Sequence, residues 1–221
     1  MPGLPARTQR TAYVGGDVPV DPGGHHDDLL PAPPALRGAP VNRDELRAAQ
    51  TPLKQRYRDD PPCALTPLSS SATFDRPPTV EVATWAGPVR AGLHRATGGD
   101  GADACSGDML MEALVACAGV TLHTVAVAFG VELRDVTLRA ESTFDARGTL
   151  GVDREAPVGV MAPRVTAEVT TDADDATLER LATATERYCV VGQSLRRPPT
   201  FTVSRRLAAA GAPDSAPAAV R

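Results

Sequence analysis

Apolar residues follow two different periods along the middle of the chain. Segments in which every second residue is apolar predict strands, whereas segments with apolar residues on one helical face predict helices. The strand pattern occurs in five segments: TVEVATWA and VRAGLHRAT around Gly87-Pro88, VELRDVTLRAESTFDA, APRVTAEVTT and PPTFTVSRR.

The pattern also predicts two substantial helices. The first can be capped by Ser106, runs to about Phe129 and stops at Gly130. The second, DADDATLERLATATERYC, starts at Asp172 or Asp174. The resulting order, β-β-α-β-β-α-β, predicts an α+β fold in which both helices pack on one face of an antiparallel sheet.

The first helix, at 106–129, is apolar nearly all the way round, so most of its faces should be buried. The sheet of one small domain covers only one of those faces. A second subunit is the simplest cover for the remaining faces, and we therefore predict a homodimer.

The two ends of the chain lack these periods and are low in complexity. The segment NRDELRAAQTPLKQRYRDDPP is charged and helix-prone, and we expect Pro52 to break it and Pro61 to stop it. Four regions are predicted: residues 1–43 mostly disordered, 44–70 a charged helical arm, 71–207 the folded domain and 208–221 a flexible tail.

Composition and charge exclude several function classes. The net charge is −4 and no basic cluster interleaves with aromatic residues, so nucleic acid is not an expected partner. The N-terminus lacks the apolar core of a signal peptide, and the longest apolar run, MLMEALVACAGV, is interrupted by Glu112 and shorter than the ~20 residues that span a bilayer. We expect a soluble, cytoplasmic protein with no membrane partner. No metal or other cofactor is predicted, because His25, His26, His94 and His123 show no ligand spacing.

The four cysteines are Cys63, Cys105, Cys117 and Cys189, and no CxxC pair occurs among them. Cys105 and Cys117 are about 18 Å apart if they share one helix, which is too far for a disulfide. Cys117 and Cys189 lie on the two helices that share one face of the sheet, so contact between them is geometrically reasonable. Either cysteine taken alone is more typical of an inert buried thiol than of a catalytic one.

The contexts of these two cysteines carry a family resemblance. MLMEALVACAGV, followed 72 residues after Cys117 by ERYCVVGQSL, resembles the OsmC/Ohr family of thiol peroxidases over about residues 79–206. Val190 stands where a proline is common in the family, and Gly192 where a serine is common. The resemblance implies an OsmC-like fold and an intertwined homodimer.

The resemblance also implies a reaction. Cys117 attacks the O–O bond of a hydroperoxide and becomes a sulfenic acid, Cys189 condenses with it to a disulfide, and an external thiol regenerates the enzyme. We expect organic hydroperoxides, because Leu114, Val115 and Val120 would line the site. As the thiol at a helix end, Cys189 is expected to be the better able to move.

The attacking thiol must be ionised, and a cysteine with the reference pKa of about 8.5 is only ~3% thiolate at pH 7. The helix dipole acts within the first turn, and Cys117 lies about three turns beyond Ser106. A cation must therefore come from outside the helix.

In the family that cation is an arginine held by a glutamate nine or ten residues before the helical cysteine. Asp108, at minus nine, is the candidate here, with Glu112 as the alternative. The arginine is harder to identify because the predicted first hairpin has none at its turn. We favour Arg58 over Arg56, both from LKQRYRDDPP, as residues that could lie across a dimer; Arg90 and Arg95 are predicted to lie on strands.

Two other interpretations stay open. An OsmC-like protein with weak or no catalysis could bind a small apolar ligand at the dimer interface, which the missing hairpin arginine favours. A structural α+β domain with incidental buried cysteines is the third.

Overall fold

The structure is a computed structural model that describes residues 41–206. The predicted tail at 208–221 and residues 1–40 of the predicted disordered segment lie outside this range. Its helices are α1 Arg43–Asp59, α2 Ser106–Phe129, α3 Ala146–Thr149, α4 Asp175–Tyr188 and α5 Val190–Ser194, with short 3-10 helices at Pro61–Ala64 and Arg95–Thr97. Its strands are β1 Ala72–Phe74, β2 Val80–Thr84, β3 Gly87–Gly92, β4 Ala104–Cys105, β5 Arg134–Thr143, β6 Met161–Thr170 and β7 Thr200–Arg205.

The strands form two sheets. The N-terminal sheet has the order β1-β2-β3-β4, and the C-terminal sheet has the order β5-β6-β7. The α+β class is thus confirmed, but neither sheet is purely antiparallel, because β4 runs parallel to β3 and β7 runs parallel to β6. The β6–β7 connection passes through α4 and α5, which allows the parallel crossover.

Helices α2 and α4 pack with the C-terminal sheet around the main core. The buried residues of β6 alternate with exposed or half-buried ones, as its period of two requires. The core side chains from the two helices and the sheet are Leu122, Val125, Ala126, Leu178, Leu181, Ala182, Ala167, Val169 and Val203.

The ends of the two long helices follow from local capping. Gly130 ends α2 in the left-handed conformation, φ 73°, and its N–H donates to the carbonyls of the last turn. Ser106 is the first helical residue rather than the cap, because Cys105 occupies the N-cap position without a side-chain hydrogen bond. Of the two candidates for the start of α4, Asp174 is the cap; its carboxylate accepts the N–H of Thr177 at 2.8 Å.

The turn of the first hairpin lies two residues before its predicted position at Gly87-Pro88. The turn residues are Trp85 and Ala86, and Gly87 already pairs with Thr84 at the start of β3. Gly87 has φ 116°, a backbone conformation that favours glycine. Strands β1 and β4, with three and two residues, were not predicted, because such short segments cannot show a period.

Helix α1 is continuous, so the prediction that Pro52 breaks it was wrong. Proline removes one intrahelical hydrogen bond, but a complete capping box at the helix start, formed by Asn42 and Glu45, favours the helix. The half-buried side chains of α1 also recur on one face across the proline: Leu46, Ala49, Gln50, Leu53 and Tyr57.

Within one chain α2 is buried along a single face, which is less than its sequence predicts. Leu114, Ala118 and Leu122 are buried, whereas Val120 is 70% exposed. At 24 residues the helix is also long and apolar enough to cross a membrane by length and composition, contrary to expectation. Its packing against α4 and β5 shows a core helix of an α+β domain, a class that passes the same test.

Candidate functional site

The structure brings Cys117 and Cys189 together. Cys117 lies midway along α2, and Cys189 lies at the junction where α4 ends and α5 begins. Both sulfur-bearing side chains belong to one apolar cluster, in which Cys117 packs against the buried Leu114, Ala118 and Val165. Cys189 is a buried member of this cluster and Cys117 packs against it, and both thiols are free.

The surroundings of Cys189 act on its ionisation in opposite directions. Burial raises the pKa of the Cys189 thiol, and the contact with Cys117 raises it further. The N–H of Gly192, 3.4 Å from the Cys189 sulfur, lowers that pKa but does not outweigh burial. The protonated thiol is therefore the favoured form of Cys189 when the site is reduced.

The two cysteines differ in exposure, and the difference is the reverse of what their helix positions suggested. Cys189, at the helix end, is only 2% exposed, whereas Cys117, within the helix, is half-buried. Cys117 is therefore the more accessible of the two cysteines to a small molecule from solvent.

The cluster around the two sulfurs is apolar. Leu114 lies in it as expected, but Val115 is only half-buried and Val120 points mainly to solvent. Met111, six residues before Cys117 on α2, is one half-buried partner. The other half-buried partners come from segments that only the fold brings to α2, so the sequence did not predict them: Leu138, Ala140, Val191, Leu195 and Phe201.

Asp108 lies in the first turn of α2 and is exposed. Together with Glu112 it lines a cleft of about 310 Å³, whose other walls include His94, Arg95 and Cys105. Arg95 belongs to a 3-10 helix, not to a strand as predicted. Within one chain Arg95, and not Arg58, lines the same cleft as Asp108.

Arg58 lies in the last turn of α1, is exposed and donates from Nη1 to the Gln55 side chain at 3.3 Å. A more firmly held guanidinium belongs to Arg90 on β3. Its Nε lies 3.3 Å from an Asp75 carboxylate oxygen, and its Nη2 lies 3.0 Å from an Asp103 carboxylate oxygen. The sequence carried no signal for this arrangement, because both carboxylates come from loops outside the strand.

The other two cysteines lie outside the cluster. The Cys63 sulfur faces the Arg56 carbonyl at 3.9 Å, and Cys105 caps α2. His94 accepts the N–H of Ala96 through Nδ1 at 3.0 Å. Across residues 41–206, no group of three or more His, Cys, Asp or Glu side chains could hold a metal ion.

Comparison with known proteins identifies the domain that holds this site. The family model described as OsmC-like protein matches residues 99–204, which include α2 and both clustered cysteines. Residues 99–204 form an OsmC-like domain. The resemblance seen in the two cysteine contexts is thereby confirmed. No curated protein sequence matches the chain.

Solved structures show the same fold over a longer part of the chain. An organic hydroperoxide resistance protein from Elizabethkingia anophelis, with thiocyanate bound, is 14% identical with a TM-score of 0.52, over 64% of this chain and 99% of that one. An OsmC-like protein from Mycoplasma pneumoniae is 11% identical with a TM-score of 0.50, over 64% and 96%. An OsmC-like protein of unknown function from Vibrio cholerae is 12% identical with a TM-score of 0.50, over 64% and 99%. At these identities the likeness shows the fold alone.

Proposed function

We propose that this OsmC-like protein is a cysteine-based peroxidase that reduces organic hydroperoxides in the cytoplasm. The observation that carries the proposal is the contact between the half-buried Cys117 thiol and the buried Cys189 thiol inside an apolar cluster. Two thiols in contact can pass from sulfenic acid to disulfide without a large movement of the chain. The apolar lining suits a substrate with a hydrocarbon group.

In the first step the Cys117 thiolate attacks the terminal oxygen of the hydroperoxide. A sulfur–oxygen bond forms and the O–O bond breaks, so the peroxide is reduced to an alcohol, which leaves after gaining a proton. Cys117 becomes a sulfenic acid. Because the Cys117 side chain is the more exposed of the pair, it is the sulfur that the peroxide meets.

In the second step the Cys189 thiol condenses with the Cys117 sulfenic acid. A disulfide forms, and the sulfenic oxygen leaves as water. Two equivalents of an external thiol then reduce the disulfide and leave as their own disulfide. The two cysteines carry the electrons, so the cycle needs neither a metal nor another cofactor.

Activation of Cys117 is proposed to involve Asp108 and Arg58 across a homodimer. Asp108 is at the start of the same helix, and the guanidinium of Arg58 is exposed in the last turn of α1. A guanidinium brought by a second subunit would supply the cation that a Cys117 thiolate needs. The exposed apolar residues of α2, such as Val120, support a second subunit as that source.

The experiment that tests the function is peptide mapping after oxidation. About one equivalent of cumene hydroperoxide, added to reduced protein, should consume two thiols per chain and give a Cys117–Cys189 disulfide. Cys63→Ser and Cys105→Ser are the matched controls and should give the same result. A bridge to Cys63 or Cys105, or consumption of peroxide without loss of thiols, would contradict the proposal.

A second candidate function is supported by one cavity. A space of about 460 Å³ lies between the start of α1, α2 and β5, within the range of small-molecule sites. Its lining is mainly apolar, and His123 and Glu132 are its charged or titratable members. A protein that binds a small apolar ligand would fill this cavity and would consume no peroxide. Saturable binding of a fluorescent apolar probe to a chain with no peroxidase activity would favour this function.

A further inference from the structure

The backbone N–H of Gly192 points at the sulfur of Cys189. The nitrogen–sulfur distance is 3.4 Å, and both residues are buried. Cys189 is the N-cap of α5, so its sulfur accepts the N–H of the third residue, as the side-chain oxygen of a serine or aspartate cap does. The next hydrogen bond, from the Gln193 N–H to the Cys189 carbonyl at 2.9 Å, continues the turn.

Position 192 has no room for a side chain. A Cβ there would lie 3.3 Å from the Cys189 sulfur and 3.3 Å from Cγ of Pro199. A distance of 3.3 Å is too short for a normal van der Waals contact between a carbon and a sulfur that are not bonded. Either the sulfur or Pro199 would therefore have to move. Glycine therefore lets the peptide N–H approach the sulfur while Pro199 closes the other side.

Disulfide formation must bring the sulfurs of Cys117 and Cys189 closer together. The two sulfur atoms are not bonded here, and a disulfide requires about 2.05 Å between them. Cys117 lies in the middle of the 24-residue α2, whereas Cys189 lies at a junction between two helices. Movement of Cys189 toward Cys117 is the easier way to close the gap, and it lengthens the contact with the Gly192 N–H.

We propose that Gly192 is the positioning residue of the Cys189 sulfur, which it holds while Cys189 is reduced and releases when the Cys117–Cys189 disulfide forms. Loss of that hydrogen bond loosens α5 and opens the disulfide to the external thiol. The proposal rests on the proposed function for its redox step. Closure joins a sulfenic acid and a thiol with loss of water, and reopening consumes two external thiols.

Amide hydrogen exchange measures the hydrogen bond directly. In the parent protein, oxidation with one equivalent of cumene hydroperoxide or with diamide should speed exchange at the amides of Gly192 and Gln193 by about tenfold, the effect expected for loss of one helix cap. The amide of Leu178, at the start of α4, serves as the internal reference and should keep its rate. Equal exchange in the two redox states would overturn the proposal.

Two substitutions separate the hydrogen bond from the redox chemistry. Reduced Cys189→Ala lacks the acceptor and should show the faster exchange at Gly192 without any oxidation. Reduced Cys189→Ser keeps an acceptor and should exchange no faster than the parent. Should the alanine variant fail to fold, the two redox states of the parent supply the same comparison.

Substitution of the glycine itself tests the positioning role. Gly192→Ala should leave the rate of sulfenic acid formation at Cys117 unchanged and slow the closure of the disulfide by about threefold or more, because the sulfur is displaced by a few tenths of an ångström. Gly159→Ala is the matched control, since nothing lies within 4 Å of a Cβ at that position.

The outcomes distinguish this proposal from the proposed function. If oxidation produces no Cys117–Cys189 disulfide, the peroxidase proposal fails and the redox link fails with it. If the disulfide forms but Cys189→Ala exchanges like Cys189→Ser, or Gly192→Ala closes as fast as Gly159→Ala, the peroxidase proposal stands and the role of Gly192 is wrong.

Discussion

The two sheets of this protein differ in how much of their surface one chain can cover. In the C-terminal sheet, Val165, Ala167 and Val169 are at most 1% exposed, because α2 and α4 lie against them. In the strands of the N-terminal sheet only Ala91 is buried. Its hairpin carries a tryptophan that is 99% exposed, Trp85.

The difference shows which part of the fold is complete in a single chain. A sheet buries its apolar residues only where a second layer faces it. The C-terminal sheet has that layer and holds the cysteine pair, whereas the N-terminal sheet and the outer face of α2 offer apolar residues to solvent. Large exposed apolar surfaces of this kind mark interaction sites. This contrast supports the proposed homodimer, in which a second copy supplies the missing layer.

The largest expected effect is on stability, and it contrasts the two regions. Leu122→Ala removes a side chain that is 1% exposed from the core and should lower the free energy of unfolding by about 2–5 kcal/mol. Trp85→Ala should change the unfolding of the isolated chain by less than about 0.5 kcal/mol, since that side chain touches almost nothing. Urea denaturation at low protein concentration measures both. Similar losses of unfolding free energy for the two variants would contradict the claim that one chain covers only the C-terminal sheet.

The second prediction concerns assembly. Light scattering should give twice the chain mass of 23.0 kDa. Val120→Glu places a charge on the exposed apolar face of α2 and should weaken association by about 2–4 kcal/mol, because that charge would be buried without a partner. Cys189 is buried within a single chain, so it should stay protected from alkylation in the variant. A parent protein that is monomeric at micromolar concentration would contradict the dimer.

The third prediction identifies the cation. Arg58→Ala should slow the reaction of Cys117 with hydroperoxide by about tenfold, because loss of a nearby positive charge disfavours the thiolate. Arg56→Ala, on the same helix, is the control and should have little effect. Arg90→Ala tests whether the N-terminal sheet supplies the cation. If Arg90→Ala slows the reaction and Arg58→Ala does not, the cation comes from that sheet and the proposed role of Arg58 is wrong.

The smallest predicted effect is on pH dependence. Because burial raises the pKa of Cys189 in the folded protein, the unfolded chain loses this proton at lower pH than the folded chain does. The contribution of Cys189 to stability is therefore full below about pH 8.5 and is lost as pH rises through the raised value. Under reducing conditions, the parent should lose more stability between pH 7.5 and 10 than Cys189→Ala does. An equal loss of stability in the parent and in Cys189→Ala over this pH range would contradict the raised pKa of Cys189.

Much of the C-terminal half was predictable from the sequence, because its signals are local. Gly130 and Asp174 set helix ends through their own backbone or carboxylate, and the alternation in β6 shows directly which side chains are buried. The direction of β7 was not predictable, since the pattern of a single strand contains no information about its neighbour. Strands as short as Ala104–Cys105 carry no period at all.

The candidate site was also only partly predictable from the sequence. Contact between Cys117 and Cys189 followed from placing two helices on one face, and the structure shows that contact. Their exposures did not follow, because Cys189 is covered by α5 and by residues that arrive late in the chain, such as Phe201. The hydrogen bond from the Gly192 N–H was not predictable either, because every residue except proline has a backbone N–H and the sequence does not show which of them donates to a sulfur.

Trapping the sulfenic acid on Cys117 tests the proposed peroxidase reaction. Cys189→Ser should react once with an organic hydroperoxide and then stop as a sulfenic acid, which dimedone labels and mass spectrometry assigns to a residue. We expect the label on Cys117 in that variant, almost none in the parent because the disulfide forms, and none at all in Cys117→Ser. A label on Cys63 or Cys105, or undiminished peroxide consumption by Cys117→Ser, would contradict it.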